Sequence, residues 1–146
     1  MSYLFEFDAA SGLLQSRHLG RVTSEELKEY YLLAVKVAAL RRPRAGIMDL
    51  TAVTSFEVSP QTIRELAAMR PVLPDDQLLR VIVAPSPDVY DMARMFETHG
   101  EATRPNLHVV RAYKEALVIV GVQQPKFELL DMALLRGDAA ESAGSN

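Results

Sequence analysis

Residues 46–68 read GIMDLTAVTSFEVSPQTIRELAA and join a short apolar strand to the start of a helix. The pattern predicts a strand over 45–50 and a helix whose first turn follows Ser59-Pro60. Serine accepts hydrogen bonds from the free N–H groups of a helix start, and proline is favoured at the first helical position. Because the carboxyl ends of parallel strands form the functional crevice in α/β folds, we expect a site at this junction.

Length and composition limit what this chain can be. Its 146 residues fit one domain, predicted over 1–136, with a small, polar, disordered tail at 137–146. The chain has no cysteine, which excludes disulfides, thiolate metal sites and a cysteine nucleophile. A net charge of -3 gives no basic surface for nucleic acid, and the sequence shows neither a signal-peptide pattern nor an apolar run long enough for a membrane span. We therefore expect a cytoplasmic protein.

The first forty residues predict a hairpin followed by a helix. Apolar and polar residues alternate over 3–8, and an extended pattern resumes over 13–19 after a small-residue interruption, which is typical of a β-hairpin. Thr23 and Glu26 have the spacing of a capping box, so the first helix is expected to begin there.

Strands and helices alternate in the rest of the chain. Aliphatic runs over 79–84 and 107–110 predict two more strands, and Ser86-Pro87 opens a third helix. The segment 114–120 fits a strand or a helix by composition, and the alternation of elements favours a helix. The order β-β-α-β-α-β-α-β-α predicts a single α/β domain with a mixed sheet of about five strands flanked by helices. Helical spacing over 127–135 predicts an added terminal helix.

Three short motifs resemble those of a known family. The segment 20–27 is similar to the start of the first helix in STAS domains, 49–54 to their strand-end Asp-Leu-Ser-Gly-Val-Thr pattern, and 115–117 to their late Glu-Ala-Leu. The order of elements over 3–121 also resembles the STAS fold of bacterial anti-sigma-factor antagonists, and especially its divergent STAS and SEC14-like relatives. The resemblance implies a regulatory domain that binds another protein. The SEC14-like comparison implies a lipid or another apolar small molecule instead.

The family's switch residue can be aligned onto this sequence. In the antagonists, the strand-end motif leads into Asp-Ser-Ser-Gly, and a partner kinase phosphorylates the second serine. Aligned without gaps from Asp49, that serine corresponds to Ser59 and the family aspartate to Glu57. The first family serine becomes Val58 and the glycine becomes Pro60, which removes a helix N–H donor and stiffens the backbone.

Ser59 therefore has two interpretations. A phosphate there would add almost two negative charges beside the N–H groups of a helix start and change how a partner docks. Alternatively, Ser59 only caps its helix, and Ser86-Pro87 repeats the same arrangement where the resemblance implies no phosphorylation.

We expect the contact surface around this candidate phosphosite to combine residues of the strand end with residues of the third helix. Besides Ser59, they are Asp49, Thr51, Thr54, Glu57, Pro60, Tyr90 and Met95. Tyr90 and Met95 fit either a partner surface or the edge of an apolar ligand pocket, since methionine adapts to varied contacts. Asp49 is expected to hydrogen-bond to the turn after it.

The remaining polar residues suggest no reaction. His18, His99 and His108 lack metal-ligand spacing and are expected to be scattered surface or half-buried side chains. Ser59, Asp49 and the histidines form no recognisable triad. The sequence thus predicts a non-enzymatic regulatory or interaction domain with an unidentified protein partner, no cofactor and no metal, and it leaves a homo-oligomer open.

Overall fold

A computed structural model of the chain describes residues 2–136, and within them strands and helices alternate as the periodicity predicts. The predicted tail at 137–146 lies outside the described residues. The elements in chain order are β1 (Tyr3–Asp8), β2 (Leu13–Thr23), α1 (Ser24–Arg41), β3 (Ala45–Glu57), α2 (Pro60–Ala68), β4 (Leu79–Val83), α3 (Pro87–His99), β5 (Leu107–Val110), α4 (Tyr113–Val120), β6 (Glu128–Leu129) and α5 (Met132–Arg136).

The strands form one mixed sheet in the order β5-β4-β3-β2-β1-β6. Strands β2, β3, β4 and β5 run parallel to one another, while β1 is antiparallel to both β2 and β6. The α/β class, the mixed sheet, the hairpin and the helix over 114–120 are therefore confirmed.

The helix predicted over 127–135 is only partly present. The segment first forms β6, which pairs with Glu6 and Phe7 of β1, and the helix α5 begins only at Met132. A two-residue strand has no periodicity of its own, and it exists because β1 offers it a free edge. The sheet consequently has six strands instead of about five.

Strand β3 is much longer than predicted. The prediction that it ends at Leu50 is wrong, because the strand continues to Glu57. The extension has a partner in β2, which runs for 11 residues and pairs with β3 as far as Thr23 and Glu57. Half-buried Val53 and Phe56 anchor it to the core beneath the helices.

The two faces of the sheet are covered unequally. Leu14 and its same-face neighbours pack against α1, and the same side of the sheet continues under α2 and α3. The adjacent residue, Leu13, points to the other face, where α4 covers β3, β4 and β5 through Ala116. Strand β4 is covered on both faces, as its aliphatic sequence predicts. None of the helices in residues 2–136 has the length and apolarity needed to cross a membrane.

Candidate functional site

The β3–α2 junction, residues 51–62, combines an open strand edge with a capped helix start. Strand β3 pairs with β4 only over 45–49, and beyond that point it pairs with β2 alone. Within the part of the chain that the structure describes, no strand pairs with the outer edge of 51–57. The register shifts twice in this extension, and Thr54 lies between the two β3 residues paired with Gly20 and Arg21. An open edge presents backbone hydrogen-bonding groups to a further strand.

Ser59 caps α2. Its Oγ accepts a hydrogen bond from the backbone N–H of Thr62 at 3.1 Å and lies 2.9 Å from the Thr62 hydroxyl. Its own N–H donates to Oγ of Ser24 at 3.1 Å, which ties the junction to the start of α1. The side chain remains exposed to solvent. The capping role is therefore present in the fold, while the hydroxyl stays accessible.

An ion pair fixes the end of the extended ribbon. Arg21 donates from Nε and Nη2 to the two carboxylate oxygens of Glu57, at 2.6 and 2.9 Å, and the Ser55 hydroxyl donates to the same carboxylate at 2.9 Å. These hydrogen bonds, chiefly the two from Arg21, lower the pKa of Glu57. Because both partners are exposed, water screens their attraction.

The predicted contact residues of the junction divide into an exposed group and a buried one. Thr51, Thr54, Glu57 and Pro60 are exposed. Asp49 is only 7% exposed, and its Oδ1 accepts a hydrogen bond from the Thr51 N–H at 2.9 Å. The Asp49 side chain therefore holds the backbone at the point where β3 leaves β4, and it does not lie on an open surface.

The two predicted residues of α3 lie in different contacts. Tyr90 is half-buried, and the guanidinium of Arg111 lies 4.3 Å from its ring centroid. Met95 is also half-buried but packs against the cluster formed by α1, α2 and the β3 extension. Neither side chain lines the two cavities described next.

Two partly open cavities lie between the sheet and the helices α1, α2 and α3, and the sequence did not predict them. Their volumes are about 120 and 70 Å³. They share five lining residues and therefore adjoin: Tyr30, Tyr31, Met48, Ile82 and Phe96. The wall of the larger cavity is mainly apolar but includes two arginines, Arg80 and Arg104.

Both arginines are buried without a carboxylate partner among residues 2–136. Arg80 is 8% exposed and Arg104 is 4% exposed. The Arg80 guanidinium donates to three backbone carbonyls of the loop 69–78, and that of Arg104 donates to three carbonyls at the end of α2. Burial lowers the pKa of both groups, and the positive charge of Arg104 lowers that of Arg80 further. For Arg80, the sequence offered a signal, because a charged residue inside the otherwise aliphatic strand β4 indicates a buried charge.

Three buried polar atoms in the described chain have no hydrogen-bond partner: Nε2 of His18, the hydroxyl of Tyr31 and Nε of Arg80. His18 contradicts its prediction as a surface or half-buried residue, because it is 1% exposed and packs edge-on against Tyr30 at 4.5 Å. Burial lowers the pKa of His18 to about 3. Tyr30 differs from Tyr31, because its hydroxyl lies 2.9 Å from that of Ser16. Burial raises the pKa of Tyr30 to about 12.

The described residues contain no group of three or more histidine and acidic side chains that could hold a metal ion. No protein-family model matches the chain, and no curated protein matches it either. The STAS resemblance therefore continues to rest on the three motifs and on the order of the elements.

Proposed function

We propose that this chain is a non-catalytic, STAS-like regulatory domain that binds another protein through the β3–α2 junction. The observation that carries the proposal is the open edge of β3 over 51–57, which ends beside the exposed Ser59. Proteins often add an extended segment of a partner to such an edge, because backbone hydrogen bonds supply affinity and alternate side chains supply specificity. Exposed Thr51 and Thr54 lie along this edge.

The proposed switch is phosphorylation of Ser59. The hydroxyl is exposed at the start of α2, whose first turn contains no acidic residue. A phosphate there would accept hydrogen bonds from free N–H groups and interact favourably with the helix dipole. It would also place new negative charge beside the partner surface and near Glu57. This function belongs in the cytoplasm, where a kinase and its nucleotide are available.

Two matched phosphomimetic variants test the proposal. Ser59→Asp and Ser86→Asp both change an exposed serine that precedes a proline at a helix start, and aspartate is a good helix cap, so both variants are expected to fold. The tagged full chain would be used to isolate complexes from extracts of its source cells, with quantitative mass spectrometry of bound proteins. We expect Ser59→Asp to lose at least about 90% of a partner that the wild type and Ser86→Asp retain, since a tenfold change needs only about 1.4 kcal/mol. Equal recovery by all three chains would refute the switch.

The alternative function is binding of an apolar small molecule. The observation in its favour is the pair of adjoining cavities, of about 120 and 70 Å³. An engineered apolar cavity of about 150 Å³ in another protein holds one benzene molecule. The space beneath the helices therefore suits a single ring or a short chain better than a lipid.

A further inference from the structure

We propose that the cavities beneath α1, α2 and α3 bind a small carboxylate attached to a compact apolar group, of which benzoate and hexanoate are examples. This site is distinct from the β3–α2 junction, so a negative result for one of the two proposals would leave the other unaffected. Three features of the larger cavity support it: its apolar walls, its two buried arginines without an ion-pair partner and its unused hydrogen-bond donors.

The apolar walls define the body of the ligand. Met48 and Ile82 come from the sheet, and Phe96 comes from α3, so the shared boundary of the two cavities is lined by aliphatic and aromatic side chains. Apolar walls of this kind gain free energy when an apolar group fills the space between them. A bare inorganic anion would leave that surface uncovered.

The buried positive charge defines the sign of the ligand. Arg80 and Arg104 both line the larger cavity, and neither forms an ion pair with any described residue. Asp75 and Asp76 attract the charge of Arg80 from beyond ion-pair distance, and Arg104 lies 4.8 Å from the centroid of the Phe96 ring, but burial still lowers the pKa of both guanidinium groups. A buried charge is costly unless an opposite charge accompanies it. A ligand anion supplies that opposite charge.

The free donors define the anionic group. Nε of Arg80 has no hydrogen-bond partner, and the hydroxyl of Tyr31, although the Arg104 guanidinium lies close enough to oppose the rise in the Tyr31 pKa that burial causes, donates its own proton to no described acceptor. Both residues line the larger cavity. Arg80 is 8% exposed and Tyr31 is 6% exposed, so bulk water does not satisfy them. A carboxylate has two acceptor oxygens and forms strong hydrogen bonds with such donors. A single water molecule could occupy the donors, but it would neither neutralise the arginines nor fill the apolar space.

A route to the cavity passes through the loop 69–78. Val72 and Leu73 line both the larger cavity and an outer groove of about 410 Å³ between this loop and the end of α1. Displacement of these two side chains would join the cavity to the outer groove. The same loop supplies the carbonyls that hold Arg80, so ligand access and charge placement involve one segment.

Titration of the full chain with sodium benzoate tests the proposal, with benzyl alcohol as a neutral ligand of similar shape. Methyl NMR would follow Met48 and Ile82 in the cavity wall, and Ile119 on the opposite face of the sheet serves as the control. We expect saturable shifts at Met48 and Ile82, no shift at Ile119, and binding of benzyl alcohol weaker by about tenfold or more, because a hydrogen bond to a charged group contributes more than a neutral one.

Two tyrosines on opposite faces of the sheet provide matched variants. Tyr31→Phe removes a cavity hydroxyl that donates to no described acceptor and should fold as well as the wild type, whereas Tyr113→Phe removes a hydroxyl that donates to Gln15 and lies outside both cavities. We expect Tyr31→Phe to weaken benzoate binding about tenfold and leave benzyl alcohol unchanged. Tyr113→Phe should change neither affinity by more than about twofold, well below the loss of one charged hydrogen bond. The proposal is overturned if benzoate produces no saturable shift at Met48 and Ile82, if benzyl alcohol binds as tightly, or if Tyr31→Phe has no effect.

Discussion

The β3–α2 junction and the interior beneath α1–α3 differ in how they satisfy their polar groups. At the junction, the hydroxyl of Ser59 and the carboxylate of Glu57 have hydrogen-bond partners, although both residues are exposed. In the interior, His18, Tyr31 and Arg80 each keep a buried atom without a partner. Hydrogen bonds within the protein therefore account for the polar groups of the junction. A partner could contact these groups because they are exposed to solvent. Arg80 and Tyr31 line the larger cavity, where we propose that a ligand binds, whereas His18 lines neither cavity and is enclosed by aromatic rings.

The difference has consequences for stability. A buried donor or acceptor left without a partner costs about 1–3 kcal/mol, and a whole domain is stable by only about 5–15 kcal/mol. The interior should therefore respond strongly to pH and to ligand. Removal of the helix cap at the junction should lower the free energy of unfolding by the smaller amount that is typical of one helix cap.

The largest expected effect is a pH dependence due to His18. Burial lowers the pKa of folded His18 to about 3, against about 6.5 in the unfolded chain. Between these values the unfolded chain binds a proton and the folded chain does not, so stability is complete above about pH 6.5 and is lost as the pH falls. The expected loss from His18 is about 2 kcal/mol between pH 7 and pH 5. Urea unfolding at several pH values measures it.

Two histidine variants separate this effect from general acid sensitivity. His18→Phe keeps an aromatic ring in the pocket beside Tyr30 and should flatten the dependence between pH 7 and pH 5. His108→Gln changes an exposed histidine and should retain the slope of the wild type. Equal slopes for the wild type and His18→Phe would show that His18 is not buried in its neutral form.

A smaller effect distinguishes the two serine caps. The Ser59 side chain accepts a hydrogen bond from Thr62 N–H, whereas Ser86 makes no capping hydrogen bond through its side chain. Ser59→Ala should lower the free energy of unfolding by about 1 kcal/mol, because it removes a capping hydrogen bond. Ser86→Ala should lower it by only about a few tenths of a kcal/mol, because the Ser86 side chain forms no such bond. Chemical denaturation of both variants measures the difference. Equal losses would mean that the cap of α2 contributes nothing specific.

The sequence predicted most of the fold because periodicity and caps are local signals. The start of α1 is an example, since Thr23 caps the helix and accepts a hydrogen bond from the N–H of Glu26 at 3.3 Å. Glycine is also typical at a helix end, and Gly100 ends α3. These features require no knowledge of distant parts of the chain, so the elements and their order followed from the residues themselves.

The missed features depend on partners that are distant in sequence. The extension of β3 to Glu57 needs β2 beside it, and β6 needs the edge of β1. Burial of His18 follows from the packing of Tyr3 and Tyr30 around it. The convergence of Arg80 and Arg104 on one cavity is likewise a tertiary property, although an arginine within an aliphatic strand signals it weakly.

The most direct test of the central claim, that the open edge of β3 contacts a partner, is native mass spectrometry of the complex isolated with Thr54→Pro and with Thr54→Ala. Thr54 lies at a register shift of β3 and is exposed, a position where proline is tolerated but obstructs an added strand. We expect Thr54→Ala to retain the complex of the wild type, and Thr54→Pro to be folded, with a normal thermal unfolding midpoint, but free of the partner. A folded Thr54→Pro chain that still carries the partner at the wild-type ratio would contradict the account.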